Sequence, residues 1–206
     1  MDLITEQRRS MMNRSAVVKN GTLGMLLFIF AEIMFFGGLI SAFIVNRADN
    51  LGAWPPVWQP RLPVLETAFN TFLLIISGVT MFMAVIEAGK KQKINLARYK
   101  KLLLATIIFG SLFVILQGRE WIQLINAGMT TSSSLFGAFF YTIVGAHGLH
   151  VLGGLLYLII IVNRLLKTTD EFYRMDASTT ANVYWLFVVA LWPFLYILVY
   201  MLPNTK

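Results

Sequence analysis

Five long apolar runs separated by short polar connections set the pattern of this chain, at about 22–45, 64–88, 102–125, 135–163 and 179–202. Each reaches the roughly 20 residues a helix needs to cross a hydrocarbon layer about 30 Å thick. Backbone groups must pair within that layer, so the runs predict an all-α fold, a polytopic membrane bundle of five transmembrane helices. Residues 1–21 then form an inner-side N-terminal segment, 22–202 the transmembrane domain and 203–206 an outer tail.

Three interruptions of the apolar pattern carry candidate chemistry. In GTLGMLLFIFAEIMFFGGLISAFIV, Glu32 stands about 15 Å into the first run, near mid-membrane. An acidic side chain there is unfavourable by roughly 2.5–3.5 kcal/mol, which predicts that it is protonated, partnered by another helix, or both. In the fourth run, YTIVGAHGLHVLGG, His147 and His150 are three residues apart and therefore expected on one helical face. Both fall near mid-membrane and are the expected partners of Glu32. Close to the outer end of the third run, Arg119 and Glu120 in LQGREWIQLIN are expected to form an interfacial pair reaching water or headgroups.

Other positions read as packing. Asn70, Ser77 and Ala84 recur at seven-residue spacing in the second run and, with Gly78, predict a small polar seam where helices approach closely. Gly145 and Gly148 offer the same in the fourth run, and Gly24, Ala31 and Gly38 give the first run a stripe on a different face from Glu32. Trp185, Trp192, Tyr196 and Tyr200 form an aromatic stripe in the last run, where Pro193 is expected to kink the helix. The connector NRADNLGAWPPVWQPRLP holds four of the six prolines and two tryptophans. It is expected to lie flat on the outer surface with its aromatics at headgroup level.

Composition adds that the membrane character belongs to the whole chain. Its 206 residues are 57% apolar and 13% charged, with a mean hydropathy of +0.70, which leaves no soluble domain. The net charge of +7 comes from Lys and Arg between the runs, so an anionic membrane surface accounts for it and nucleic acid does not. Thirteen of those residues fall in alternate segments and three in the others, Arg119 aside, which puts the N-terminus inside and the C-terminus outside. Met1 to Asn20 is polar and basic, unlike a cleavable secretion signal.

Much chemistry is excluded. Without cysteine there is no disulfide, thiolate metal site or cysteine nucleophile. Two imidazoles on one face of one helix cannot sandwich a haem, and without an acidic cluster they make a poor copper or zinc site. No phosphate loop or nucleophile triad occurs. The expectation is a chain with no catalytic, cofactor-binding or metal residues of its own. The buried polar group Glu32, His147 and His150 could conduct or buffer protons, hold a lipid or partner headgroup, or lock helices together. An independent proton or ion conductor built on those three residues is the alternative function. A haem-binding electron carrier using one histidine and a methionine is a third.

In their order along the chain, these segments resemble subunit III of the haem–copper respiratory terminal oxidases, in its short five-span bacterial form. The agreement runs through MLLFIFAEIMFFGG, with Glu32 at the family's mid-membrane carboxyl, then GAWPP and NTFLLIISGVT from Asn70 to Thr80. It continues in LQGREW, with Glu120 at an acidic family position, in GAHGLHVLGG with His147 and His150, and in YWLFVVALWPFLY. The resemblance implies a non-catalytic accessory subunit of a proton-pumping cytochrome c or quinol oxidase that reduces oxygen to water. Such a subunit packs directly on subunit I, supports its stability and sustained proton uptake, and leaves haem and copper to partner subunits. The implied location is the bacterial cytoplasmic (inner) membrane, with other oxidase subunits and lipid as neighbours and a respiratory supercomplex as a candidate larger assembly. Seven-span members hold phospholipid in a cleft formed with their first two helices. This chain begins at the third, so bound phospholipid is a candidate ligand without that cleft. The chain also departs from the family: Leu186, Val189, Thr179 and Ser133 stand where a histidine and three acidic residues are common, so any inner-side polar network must be simpler or supplied by a partner.

Overall fold

The computed structural model describes residues 20–50, 54–90, 95–167 and 171–204. The basic positions Arg8, Arg9, Arg14, Lys19, Lys91, Lys93 and Lys206, and Gly52 and Ala53 of the first connector, lie outside them. Five helices follow in order: α1 Asn20–Asp49, α2 Val64–Ala88, α3 Leu96–Asn126, α4 Leu135–Lys167 and α5 Glu171–Tyr196. All five are long and apolar enough to cross a membrane, and no strand occurs among the described residues, so this is an all-helical, multi-pass membrane protein. The helices overrun their apolar cores because polar residues supply the caps. Asn95 accepts the Arg98 N–H at the start of α3. At its end Gly128, at φ +91°, turns the chain so that the Met129 N–H reaches the Leu124 carbonyl.

Helices α2, α3, α4 and α5 form a ring, each packed on the next with α5 closing back on α2, and α1 lies outside it against α5 and α4. In the apolar window of α1 only 6% of residues are buried, against 28–39% in the other helices, so α1 is a peripheral helix. Its small-residue stripe therefore does not pack within the chain. Gly24, Ala31 and Gly38 are exposed, and a Cβ added at either glycine would meet no atom within 4 Å.

The aromatic stripe of α5 meets the polar seam of α2 rung by rung. The Trp185 Nε1–H donates to Ser77 Oγ at 2.9 Å, the Trp192 Nε1–H to Thr71 Oγ1 at 2.8 Å, and the Tyr196 hydroxyl to the Val64 carbonyl at 2.9 Å. Each bond lies further along α2 as it lies further back along α5, the register of antiparallel helices. Interhelical hydrogen bonds in lipid are typically worth about 0.6 kcal/mol each, so their larger effect is to fix register. Alongside them Val189 packs where a Cβ at Gly78 would come within 2.8 Å of its Cγ1. Trp185 is wedged from both sides: a Cβ at Gly110 of α3 or at Gly154 of α4 would lie 2.8 Å from the indole.

Two expectations about packing need correction. Trp54 is not a surface aromatic. It is 5% exposed and packs edge-on against Phe43 of α1 and Phe136 of α4, so the connector from Trp54 onward crosses the start of α4. Gln59 anchors that crossing by donating to Ser133 Oγ and Ser134 Oγ, so Ser133 makes polar contacts although it is not acidic. Trp58, by contrast, is 76% exposed. Gly148 is not a packing glycine either, since a Cβ there would meet nothing within 4 Å, whereas one at Gly145 would lie 3.3 Å from Trp121.

At the other end of the bundle the turn between α2 and α3 is tied by one carboxylate. Glu87 lies 2.7 Å from Lys90 Nζ and 3.7 Å from Arg98 Nε, and accepts the Asn95 N–H at 3.3 Å. Glu87→Ala is expected to speed amide exchange at Asn95 while leaving exchange in the middle of α2 unchanged, which hydrogen-exchange mass spectrometry resolves.

Candidate functional site

The charged residue of α1 finds its partner on α4. Glu32 Oε2 lies 2.9 Å from His150 Nε2, and the two side chains are 15% and 18% exposed. The other ring nitrogen, Nδ1, is 2.6 Å from the Ala146 carbonyl one turn earlier. A carbonyl only accepts, so Nδ1 carries a hydrogen, and a neutral ring then has a bare Nε2 facing the carboxyl. A hydrogen between the two would make this 2.9 Å approach attractive, whereas without one two lone pairs would face each other. A pair holding one such hydrogen is neutral as acid plus imidazole or as carboxylate plus imidazolium, which spares the bilayer an isolated charge. Phe36, 1% exposed, sits edge-on to the imidazole at 5.4 Å, and the Tyr184 hydroxyl donates to the His150 carbonyl at 2.9 Å.

His147 is not part of this pair, contrary to the expectation that both histidines share Glu32. Positions three apart on a helix differ by about 60° in direction, enough to send them to different neighbours. His147 is fully buried, stacked on Trp192 of α5 with centroids 4.8 Å apart and edge-on to Phe113 of α3. Neither of its ring nitrogens has a protein partner.

A second carboxyl is buried further along the bundle. Arg119 is exposed but Glu120 is only 4% exposed, so the two do not form a boundary pair; neighbours in sequence diverge by about 100° on a helix. Glu120 Oε1 accepts the Tyr200 hydroxyl at 2.6 Å, and Oε2 is 2.8 Å from Thr67 Oγ1. Tyr200 in turn accepts from Gln117 Nε2 at 3.0 Å, and Gln117 Oε1 accepts from Asn70 Nδ2 at 3.1 Å. The chain of bonds thus joins α2, α3 and the end of α5, where the winding widens to a π-helix at Ile197–Met201, four residues after Pro193. Thr67 has one hydroxyl hydrogen for two acceptors, Glu120 Oε2 and the Pro63 carbonyl at 2.9 Å. When that hydrogen goes to Pro63, the Glu120 contact is completed by a carboxylic acid hydrogen. Thr67 and Gln117 were not singled out from sequence, and Tyr200 was read only as part of an aromatic stripe. For Gln117 the signal was there in the buried stripe of α3, Leu103, Thr106, Gly110, Phe113, Gln117, Glu120 and Leu124, which puts Gln117 and Glu120 on one inward face.

Among the described residues, no group of three or more His, Asp or Glu is placed to hold a metal ion. What the arrangement can do is hold protons at two buried carboxyls and fasten helices.

Comparison with known proteins agrees with the resemblance drawn from the motifs. The family described as cytochrome c oxidase subunit III matches residues 1–203. A probable cytochrome c oxidase subunit 3 of Mycobacterium leprae is 34% identical over 92% of this chain and 90% of its own length. The cytochrome c oxidase subunit 3 of Corynebacterium diphtheriae is 32% identical over 97% of this chain and 95% of its own. That of Mus musculus is 34% identical over 97% of this chain and 76% of its own.

Proposed function

The chain belongs to the cytochrome c oxidase subunit III family, and from that membership in a multi-subunit oxidase we propose that it is the complex's non-catalytic accessory subunit. It packs on subunit I in the bacterial inner membrane, with its N-terminus inside, and sustains proton uptake while haem and copper in partner subunits reduce oxygen. The observation that carries this reading is the pairing of Glu32 with His150. A carboxyl and an imidazole meet 2.9 Å apart where a peripheral helix joins the bundle, an arrangement suited to holding one shared proton. The uncovered Gly24, Ala31 and Gly38 stripe of α1 supports it too, since small residues let a second helix come close. Glu120 and the Tyr200 network serve as an internal polar brace, and bound phospholipid is a neighbour of the complex, not a requirement of the pair.

The test uses the purified oxidase with and without this chain. Without it, the enzyme is expected to begin near its full turnover and to lose activity over repeated cycles. With Glu32→Gln, the complex should still assemble but show the same progressive loss in weaker form. Activity that is equally durable in all three preparations would sink the proposal. If instead the chain purifies alone, dissipates a pH gradient in liposomes and stops doing so as Glu32→Gln, the independent conductor is the correct reading.

A further inference from the structure

Between α3 and α4 the bundle leaves a cleft of about 610 Å³, whose lining meets the Glu120 network only at Gln117. Its wall is made by Phe113, His147 and Trp192, with Trp121 alongside, and it opens on the flank of the bundle past Gly118 and Leu149, both exposed. Two glycines create the space: a Cβ at Gly118 or Gly148 would meet no atom within 4 Å. The volume lies within the roughly 300–1,000 Å³ of small-molecule sites.

This cleft is apolar almost throughout, yet it holds groups that apolar contact leaves unmet. His147 is 0% exposed, and both its ring nitrogens lack a protein partner; the buried Trp121 indole N–H lacks one as well. A neutral imidazole offers one donor and one acceptor, and an indole offers a donor. Buried polar groups are normally hydrogen-bonded, so these three atoms point to an occupant that brings oxygen. An acyl chain would fill the space and leave them unpaired. A lipid headgroup could pair with them, but it is held at the membrane boundary, whereas His147 is in the middle of its span. A flat ring suits the stacked His147–Trp192 wall, with Phe113 edge-on behind it.

We propose that the α3–α4 cleft binds a neutral, bilayer-soluble ring compound bearing carbonyl or hydroxyl oxygens, the quinone class, with His147 and Trp121 as its hydrogen-bonding partners. The ligand enters sideways from the membrane, and its tail leaves past Leu149. This is a binding site, and no electron transfer is assigned to it.

The full chain with ¹⁵N-labelled tryptophan in lipid nanodiscs tests this, using a decyl-substituted benzoquinone as probe and methyl decanoate as the ring-free control. The indole resonance assigned by Trp121→Phe is expected to move downfield saturably with the benzoquinone, while those of Trp54 and Trp58 stay in place. Gly148→Leu, which projects into the cleft from a position where a Cβ meets no atom within 4 Å, should weaken that response at least tenfold at an unchanged melting temperature. Gly118→Leu serves the same purpose if Gly148→Leu does not fold. Movement of all the indoles in proportion to probe concentration would mean simple partitioning and would overturn the proposal. So would a response that survives both cleft-filling variants, or an equal saturable response to methyl decanoate, which would make the cleft an acyl-chain groove.

Discussion

Gly154→Val and Gly110→Val are each expected to destabilise the bundle by an amount at the upper end of the about 1–3 kcal/mol that overpacking costs. Even a single Cβ at either site would stand 2.8 Å from the Trp185 ring, well inside contact distance. The indole has nowhere to go. It is fully buried, gripped by glycines of α3 and α4, and fixed by its bond to Ser77. Thermal unfolding in mild detergent would show each single variant melting lower than the parent. The double variant Gly154→Val with Trp185→Leu should recover part of the loss, because the smaller side chain removes the clash even as it gives up the Ser77 bond. Full additivity would mean that the indole is not the obstacle. Gly148→Val, only six residues before Gly154, is expected to melt like the parent, since a Cβ there meets no atom within 4 Å.

The second large effect falls on Glu120. Glu120→Ala removes the acceptor of the Tyr200 hydroxyl and the partner of Thr67, and leaves a void where α2, α3 and the end of α5 meet. An unpaired buried hydroxyl and a partly collapsed cavity together cost about 2–4 kcal/mol. Glu120→Gln keeps an acceptor for Tyr200 and supplies an N–H toward Thr67, so it should cost about 1 kcal/mol or less. Equal destabilisation by Ala and Gln would show that the charge, not the hydrogen bonding, matters. A Tyr200→Phe variant should resemble the Gln variant in the same melting experiment, since the bond is lost but the ring still fills its place.

The two carboxyl sites illustrate how legible the chain was. Glu32 could be singled out from sequence because a lone acid in an apolar run has few physical explanations, and a partner on another helix was one of them. That the partner is His150 and not His147 depends on which helix each flanks, and an i, i+3 spacing does not decide that. Glu120 was harder to read. Beside Arg119 it looked like half of a surface pair, and only the stripe from Leu103 to Leu124 reveals that it faces inward. Its partners Thr67 and Tyr200 are 53 and 80 residues away, and nothing local marks them.

The amino-acid sequence by itself determined the number of membrane-crossing helices, the family and the presence of an acid that needs company, because span length and the exclusion of unpaired backbone from lipid act on each segment alone. The tertiary structure decided what those segments do to one another. It put α1 at the periphery, with its small-residue stripe uncovered; it drew Trp54 inward; it divided the two histidines between a carboxyl and an aromatic wall; and it buried Glu120 under Tyr200. Each outcome depends on which helix lies beside which. In lipid the apolar faces of five helices are nearly equivalent, so their order is set by a few indole, hydroxyl and glycine contacts made between distant parts of the chain.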